Sequence, residues 1–409
     1  MRLNSSIRQA TYPVAILGQR NFALVWSSIW TVQTGNQMEA LILGWYILEV
    51  TGSPFLVGLI ASARMGMNFL AMFSGAIADR LPRNRLLVVV ELILTGLGAA
   101  VLLLLITGFL EVWHLFAIVM GAGLVRIFQM PTAQALIGDT LPPDKISNGA
   151  ALSSMAQNLS TILGPFIGGL LYKTWGPEGG YTVVALLYFT SALCASFVRP
   201  IRVSEVQPRG SVLRTVIEGL RYVRGQQILW ATLAIAVIIN LTGWPFHTAL
   251  LTIFAGNVLE TGPDGLGTLT AAFGIGALCG SIAWASFRNL RHIGKLMILS
   301  VVVWHGSMLV FALSTSFYLS LAILLITGAA FSSTQVMMLT AMLRTTQAEF
   351  RGRVLGLRVL AIYAYAFGGA GAGWMAGAWG APASAMIIGI TGAALTLALV
   401  VFTPQLRRA

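Results

Sequence analysis

Four charged side chains interrupt otherwise apolar runs of this sequence: Glu39, Arg64, Glu91 and Arg126. A charge at the centre of a membrane helix costs about 3 kcal/mol, so each is a candidate for handling protons or substrate. Glu39 lies nine residues before Leu48, and Arg64 nine residues after Phe55. At 1.5 Å per residue both sit about 14 Å from the outer ends of their helices, and the short connection predicts that they pair. Two readings of that pair stay open. Either the proton affinity of Glu39 changes as Arg64 approaches and leaves, which couples protons to conformation, or the pair is static and staples two helices. Glu91 reads as a structural partner. On the same ruler Arg126 differs in depth from Glu39 by roughly 10 Å, so those two are expected to stay apart.

Gln33, Asn36 and Glu39 follow at three-residue steps with Gln37 beside them, giving one helix a slowly spiralling polar stripe. Asn36 and Glu39 are expected to face a wet cavity. Gln33 and Gln37 either line it or bond a neighbouring helix. The second half of the chain has no carboxylate in an apolar run. It offers Asn240, Trp244 and His247 around Pro245, and Trp304-His305 further on. Trp244 and Phe246 beside a proline kink are expected to form an aromatic wall for a flat or apolar substrate. Cys194 and Cys279 sit inside apolar runs, and the four histidines form no Cys/His grouping, so neither a disulfide framework nor a metal site is expected. No cofactor is expected either.

The elements that position these residues follow from composition. Of 409 residues, 57% are hydrophobic and only 9% charged, with a mean hydropathy of +0.82. That is too little charge to coat a water-soluble surface, where about 25% is usual. Ordinary cytosolic enzymes, disordered chains and secreted disulfide scaffolds are excluded. Long continuous apolar runs predict helices rather than a barrel. Twelve spans are expected: Phe22–Leu48, Phe55–Ala78, Leu86–Gly108, Trp113–Ile137, Ile146–Leu171, Tyr181–Val198, Gln227–Thr252, Leu266–Phe287, Leu296–Ser314, Phe317–Leu343, Val354–Trp379 and Pro382–Phe402. The polar stretch Met1 to Arg20 has no signal-peptide pattern.

On this layout 22 of the 25 lysines and arginines fall on one side, counting Arg358 in the first turns of its span, with Lys173 alone on the other side and Arg64 and Arg126 deeper within spans. The basic side is therefore cytoplasmic and both termini lie there. The net charge of +12 reports topology and needs no nucleic-acid partner. Val212 to Val223 places Val212, Val216, Leu220 and Val223 at helical spacing, the pattern of an amphipathic surface helix. It sits in a linker, residues 201–225, between six-helix bundles over residues 1–200 and 226–409.

The halves echo one another. Gly164-Pro165-Phe166-Ile167-Gly168-Gly169 with Trp175-Gly176, and Gly368 to Gly373 with Trp379-Gly380, match at a constant offset of 204 residues. A duplicated six-helix unit of unchanged orientation is the parallel type of transporter repeat. The predicted fold class is therefore an all-α integral membrane protein of twelve transmembrane helices in two parallel six-helix repeats.

Local motifs carry a resemblance. Gly75-Ala76-Ile77-Ala78-Asp79-Arg80-Leu81-Pro82-Arg83-Asn84-Arg85 closely resembles the Gly-x-x-x-Asp-Arg-x-Gly-Arg-Arg/Lys loop of the major facilitator superfamily, with Pro82 in place of the loop glycine. Arg126-Ile127-Phe128-Gln129 is similar to its buried Arg-x-x-Gln motif. Ala156, Ser160, Gly164-Pro165 and Gly168-Gly169 resemble its antiporter pattern in the fifth span. Thr51-Gly52-Ser53-Pro54 and Arg351-Gly352-Arg353 resemble the enterobactin-exporter and macrolide-efflux subgroup. The resemblance implies a monomeric alternating-access transporter of a bacterial inner membrane, exporting amphipathic drug-like or siderophore-like molecules in exchange for protons. Nutrient uptake is the nearest alternative, and a receptor or enzyme without transport a more distant one. No ATP-binding signature appears. By the resemblance, Arg126, Gln129 and the polar stripe line the cavity. Gly75, Asp79, Arg80, Arg83, Arg85, Gly164, Pro165, Gly168 and Gly169 serve the gates, with Asp79 locking near Arg353.

Overall fold

The computed structural model describes residues 16–67, 82–199, 212–287 and 291–408. The helices are α1 (Arg20–Thr51), α2 (Pro54–Gly66), α3 (Arg83–Ile106), α4 (Val112–Thr140), α5 (Ile146–Ser196) and α6 (Val212–Arg224). They continue as α7 (Gln227–Pro245), α8 (Leu251–Asn257), α9 (Gly262–Ala285), α10 (Ile293–Ala312), α11 (Phe317–Thr345), α12 (Arg351–Ile362), α13 (Tyr365–Phe402) and α14 (Pro404–Arg408). Among the described residues, eight helical stretches are long and apolar enough to cross a membrane. Large apolar side chains point outward along them, with Phe367 79% and Phe402 74% exposed. This reverses the surface of a water-soluble protein and suits hydrocarbon.

Two of these stretches run for 54 and 55 residues, Pro143–Ser196 and Ala348–Phe402. At 1.5 Å per residue either is about 80 Å long, far beyond the ~30 Å hydrocarbon core. Each breaks once at a glycine outside the helical region, Gly176 in α5 (φ 69°, ψ −174°) and Gly380 in α13 (φ 81°, ψ 161°). A side chain disfavours such positive φ, and each break is followed by a proline within two residues, which suits a helix start. The two breaks keep the 204-residue offset of the sequence echo. The turn between α1 and α2 is equally local. Gly52 takes φ +60°, Ser53 caps α2 by accepting from the Leu56 amide, and Pro54 opens the helix.

The described chain forms two compact units. The first contains residues 16–39 and 82–199, the second residues 40–67 and 212–408. Residues 40–67, which the sequence places in the first bundle, thus cluster with the second unit. Small residues on α2 and α13 permit it. A side chain at Gly373 would meet Pro54 O at 2.6 Å and Gly58 Cα at 2.9 Å, and Ala370 N donates to Ser62 Oγ at 2.7 Å. In the first unit, Phe22, Val25 and Ile29 of α1 pack with Leu87, Leu136, Ile137 and Leu152, and Trp26 Nε1 donates to Leu152 O at 2.9 Å.

Within the second unit α6 lies along α12. Its covered face carries Gly219 and Val223, whereas Leu220 is 52% exposed, so the buried stripe is rotated from the predicted one. Gly219 sets that rotation, because a side chain there would meet Arg353 Cβ and Leu357 Cδ1 at 3.3 Å.

Candidate functional site

Asn36 and Glu39 share one face of α1, three residues apart. Arg126 of α4 reaches that face. Its Nη2 forms an ion pair with Glu39 Oε2 and donates to Tyr188 Oη at 2.9 Å, while Nε donates to Asn36 Oδ1 at 2.9 Å. The Tyr188 hydroxyl, from the second arm of α5, lies 2.9 Å from Asn36 Oδ1 and 3.1 Å from Glu39 Oε2. Asn36 Nδ2 donates to Gln33 Oε1 at 2.9 Å. Glu39 is 3% exposed and Tyr188 fully buried. Gly35 makes room for the tyrosine ring, since a side chain there would meet Tyr188 Cε1 at 2.8 Å.

Arg126, which the sequence ruler keeps apart from Glu39, is thus an ion-pair partner of that carboxylate within the first unit. Measured between the observed helix ends, the depth argument changes. Glu39 lies twelve residues before Thr51 and Arg126 fourteen after Val112, about 18 and 21 Å from those helix ends, a gap the long arginine side chain closes. Arg64 belongs to the second unit, where it acts electrostatically on the Tyr365 phenol. Tyr188 went unnoticed in the sequence. The available signal was a phenol in an apolar run, which needs a polar partner when buried.

A buried ion pair is costly to form and costlier to break, about 3–5 kcal/mol when one partner is removed. Glu39 can lose Arg126 cheaply only if a proton or another cation replaces it. Arg126 likewise needs another acceptor. That is chemistry suited to exchange rather than to bond breaking.

The second unit carries an aromatic cluster. A π turn, Phe246–Leu250, follows Pro245, and it directs His247 toward α9, α10 and α11. Trp304 Nε1 donates to His247 Nε2 at 3.2 Å, and the imidazole lies 4.0 Å, centroid to centroid, from the Phe273 ring. Trp244 and Trp304 each stand edge-on to Phe331 at 5.2 Å. Phe246 instead packs on Phe254 and Phe311, fully buried and on another face from Trp244. Trp244 and Phe246 therefore do not share a wall: Trp244 stands with Phe331, which packs on the fully buried Trp304. Among the described residues, His247 Nδ1 and Asn240 Oδ1 are buried without hydrogen-bond partners. Asn240 Nδ2 donates to Ala236 O at 2.8 Å.

The other candidates divide. Gln37 Nε2 donates to Thr161 Oγ1 at 3.2 Å, and Gln129 is 2% exposed beside Glu91. Gly164 and Gly168 press on α1, where a side chain at Gly164 would meet Gln37 Cβ at 2.7 Å. Pro165 and Gly169 are buried beside them. Gly368, offset by 204 residues, presses on α7 in the same manner, since a side chain there would meet Pro245 Cγ at 2.6 Å. Arg83 pairs with Asp139 at 2.9 Å and Arg85 is exposed. Arg353 pairs with Glu218 of α6 at 3.1 Å and lies over the Phe350 ring. Gly75, Asp79 and Arg80 lie outside the described residues.

Comparison with known proteins places this geometry. The chain is 27% identical over 397 residues to the multidrug efflux pump Tap of Mycolicibacterium fortuitum, covering 92% of this chain and 94% of that protein. It is 25% identical over 377 residues to the enterobactin exporter EntS of Shigella boydii serotype 4, covering 88% and 86%. Its fold is similar to that of a bacterial homologue of the human lysosomal transporter Spinster, solved inward-facing and unoccupied, with a TM-score of 0.76 and 14% identity over 96% of this chain and 99% of that one. Residues 11–407 match the family model described as transmembrane secretion effector. The chain is a membrane transporter belonging to that family, within the efflux subgroup of the major facilitator superfamily.

Proposed function

We propose that this transporter exports amphipathic small molecules by alternating access in exchange for protons. The reading takes the chain as twelve crossings in two parallel six-helix repeats, residues 1–200 and 226–409 joined by 201–225. It is a monomer of a bacterial inner membrane with both termini in the cytoplasm. The observation that carries the exchange is the buried Glu39–Arg126 pair, held by Tyr188 and Asn36. A proton on Glu39 removes the attraction to Arg126 and frees the guanidinium, and release of that proton restores it. Pair formation then differs between access states, which is what couples a titration to a conformational equilibrium. Trp244 and Phe331 supply flat apolar surface for the transported molecule, backed by the fully buried Trp304, with His247 and Asn240 as polar contacts. Names of the relatives, multidrug efflux and enterobactin export, support a broad amphipathic substrate class.

The test is efflux of ethidium, a flat amphipathic cation, from proteoliposomes under an imposed pH gradient. Accelerated ethidium movement that collapses with nigericin is the expected result. Movement indifferent to the gradient overturns proton exchange, and no movement of ethidium or of a panel of toxic amphiphiles overturns export.

A further inference from the structure

The exchange scheme leaves one carboxyl unused. Glu91 of α3 is 1% exposed and sits in an apolar run, eight residues from the Arg83 end of its helix. Its Oε1 lies 3.2 Å from Ser28 Oγ of α1. Ser28 Oγ lies 2.9 Å from Ser191 Oγ of α5, and Ser191 Oγ lies 2.9 Å from the Ser28 carbonyl oxygen.

Three contacts need three protons, and two hydroxyls supply two. The backbone carbonyl only accepts, so Ser191 donates to it and must itself accept from Ser28. Ser28 then has no proton left for Glu91. An ionised Glu91 would face an oxygen lone pair. A neutral Glu91 donates, and the chain closes from Glu91 to Ser28 to Ser191 to the carbonyl. Running the serines the other way only moves the missing proton to the carbonyl contact.

The charge environment agrees. Among the described residues no cation pairs with Glu91, and Arg126 is engaged by Glu39. The groups facing it are the Ser28 hydroxyl from α1, the Gln129 amide from α4, and the Ser191 hydroxyl and Cys194 thiol from α5. None of these offers a positive charge, and a buried carboxylate without one is strongly disfavoured. Glu91 Oε2 and Gln129 Nε2 are both buried, and the Gln129 amide is turned toward the carboxyl without closing to a short hydrogen bond. Gln129 stands one helical turn from Arg126 on α4, toward the Thr140 end.

We infer that Glu91 carries an exchangeable proton and that the Glu91–Ser28–Ser191 cluster is a second proton-binding site, separate from the Glu39–Arg126 pair. The inference is independent of which molecule is exported. Infrared difference spectroscopy on the full-length protein in lipid, titrated in pH without substrate, tests it. A protonated-carboxyl carbonyl band is expected at neutral pH that disappears in Glu91→Gln and survives in Glu39→Gln. It should move on transfer to deuterated water and fade as pH rises. Ser28→Ala removes the acceptor and keeps the acid, so the band should shift to higher frequency without vanishing, which gives a readout even if Glu91→Gln fails to fold. A spectrum unchanged by Glu91→Gln, or a band that Ser28→Ala leaves in place, overturns the assignment. A band that neither exchanges nor titrates overturns it too, because the acid is then a fixed packing group.

Discussion

At the residue scale the decisive object is one guanidinium with three oxygen partners. Removing Arg126 breaks a buried ion pair from one side, so Arg126→Ala should lose about 3–5 kcal/mol of stability, seen as a lowered melting temperature in detergent. Adding Glu39→Gln removes the other charge of the pair and should recover most of that loss without restoring transport. If the double variant melts no higher than Arg126→Ala, the pair is not what holds α1 to α4. Glu39→Gln alone keeps shape and cannot titrate. Substrate binding should survive while accumulation driven by a pH gradient is lost, and retained uphill transport would make the pair a static staple.

At the element scale, small residues decide how closely helices approach. Gly368 sits where a side chain meets Pro245 Cγ at 2.6 Å and Leu241 O at 2.8 Å, whereas Gly371 has open space. Gly368→Val should therefore cost about 1–3 kcal/mol, while Gly371→Ala should be neutral or gain about 0.5–1 kcal/mol. Thermal melts of the two proteins check the contrast, and equal effects would remove the close α7–α13 approach from the account. The surface helix α6 is held differently. Tyr222 stacks on Phe350 at 4.1 Å and its hydroxyl accepts from Gln347 N at 3.1 Å, beside the half-exposed Glu218–Arg353 pair. An ion pair that exposed contributes at most about 1 kcal/mol. Tyr222→Ala should consequently speed hydrogen exchange across 212–224 more than Glu218→Gln does.

At the scale of the whole molecule, the arginine distribution makes a prediction independent of any site. Single cysteines placed at Lys173 and at Arg224 of a variant lacking Cys194 and Cys279 should label from opposite sides of the membrane, Lys173→Cys from outside. Labelling of both from one side would break the crossing scheme between them. The superfamily and its efflux subgroup were legible in the sequence because their motifs are local, such as the Thr51–Pro54 turn whose glycine, cap and proline each have a backbone task. The Glu39–Arg126 ion pair was not legible. Helix ends read from apolar runs fell three residues short of Thr51, and an arginine's reach exceeds that error.

What the sequence determined by itself was the all-helical membrane character and the Trp-Gly breaks at 176 and 380 that cut two long helices. Hydrocarbon tolerates no unsatisfied backbone, so apolar length forces helices, and a glycine's φ is a local property. Tertiary structure alone decided that Arg126 holds Glu39, that Phe331, packed on Trp304, rather than Phe246 stands with Trp244, and that Gly219 turns α6 onto α12. Those choices depend on which helix faces lie together, and rotation about a helix axis is set by packing between distant segments.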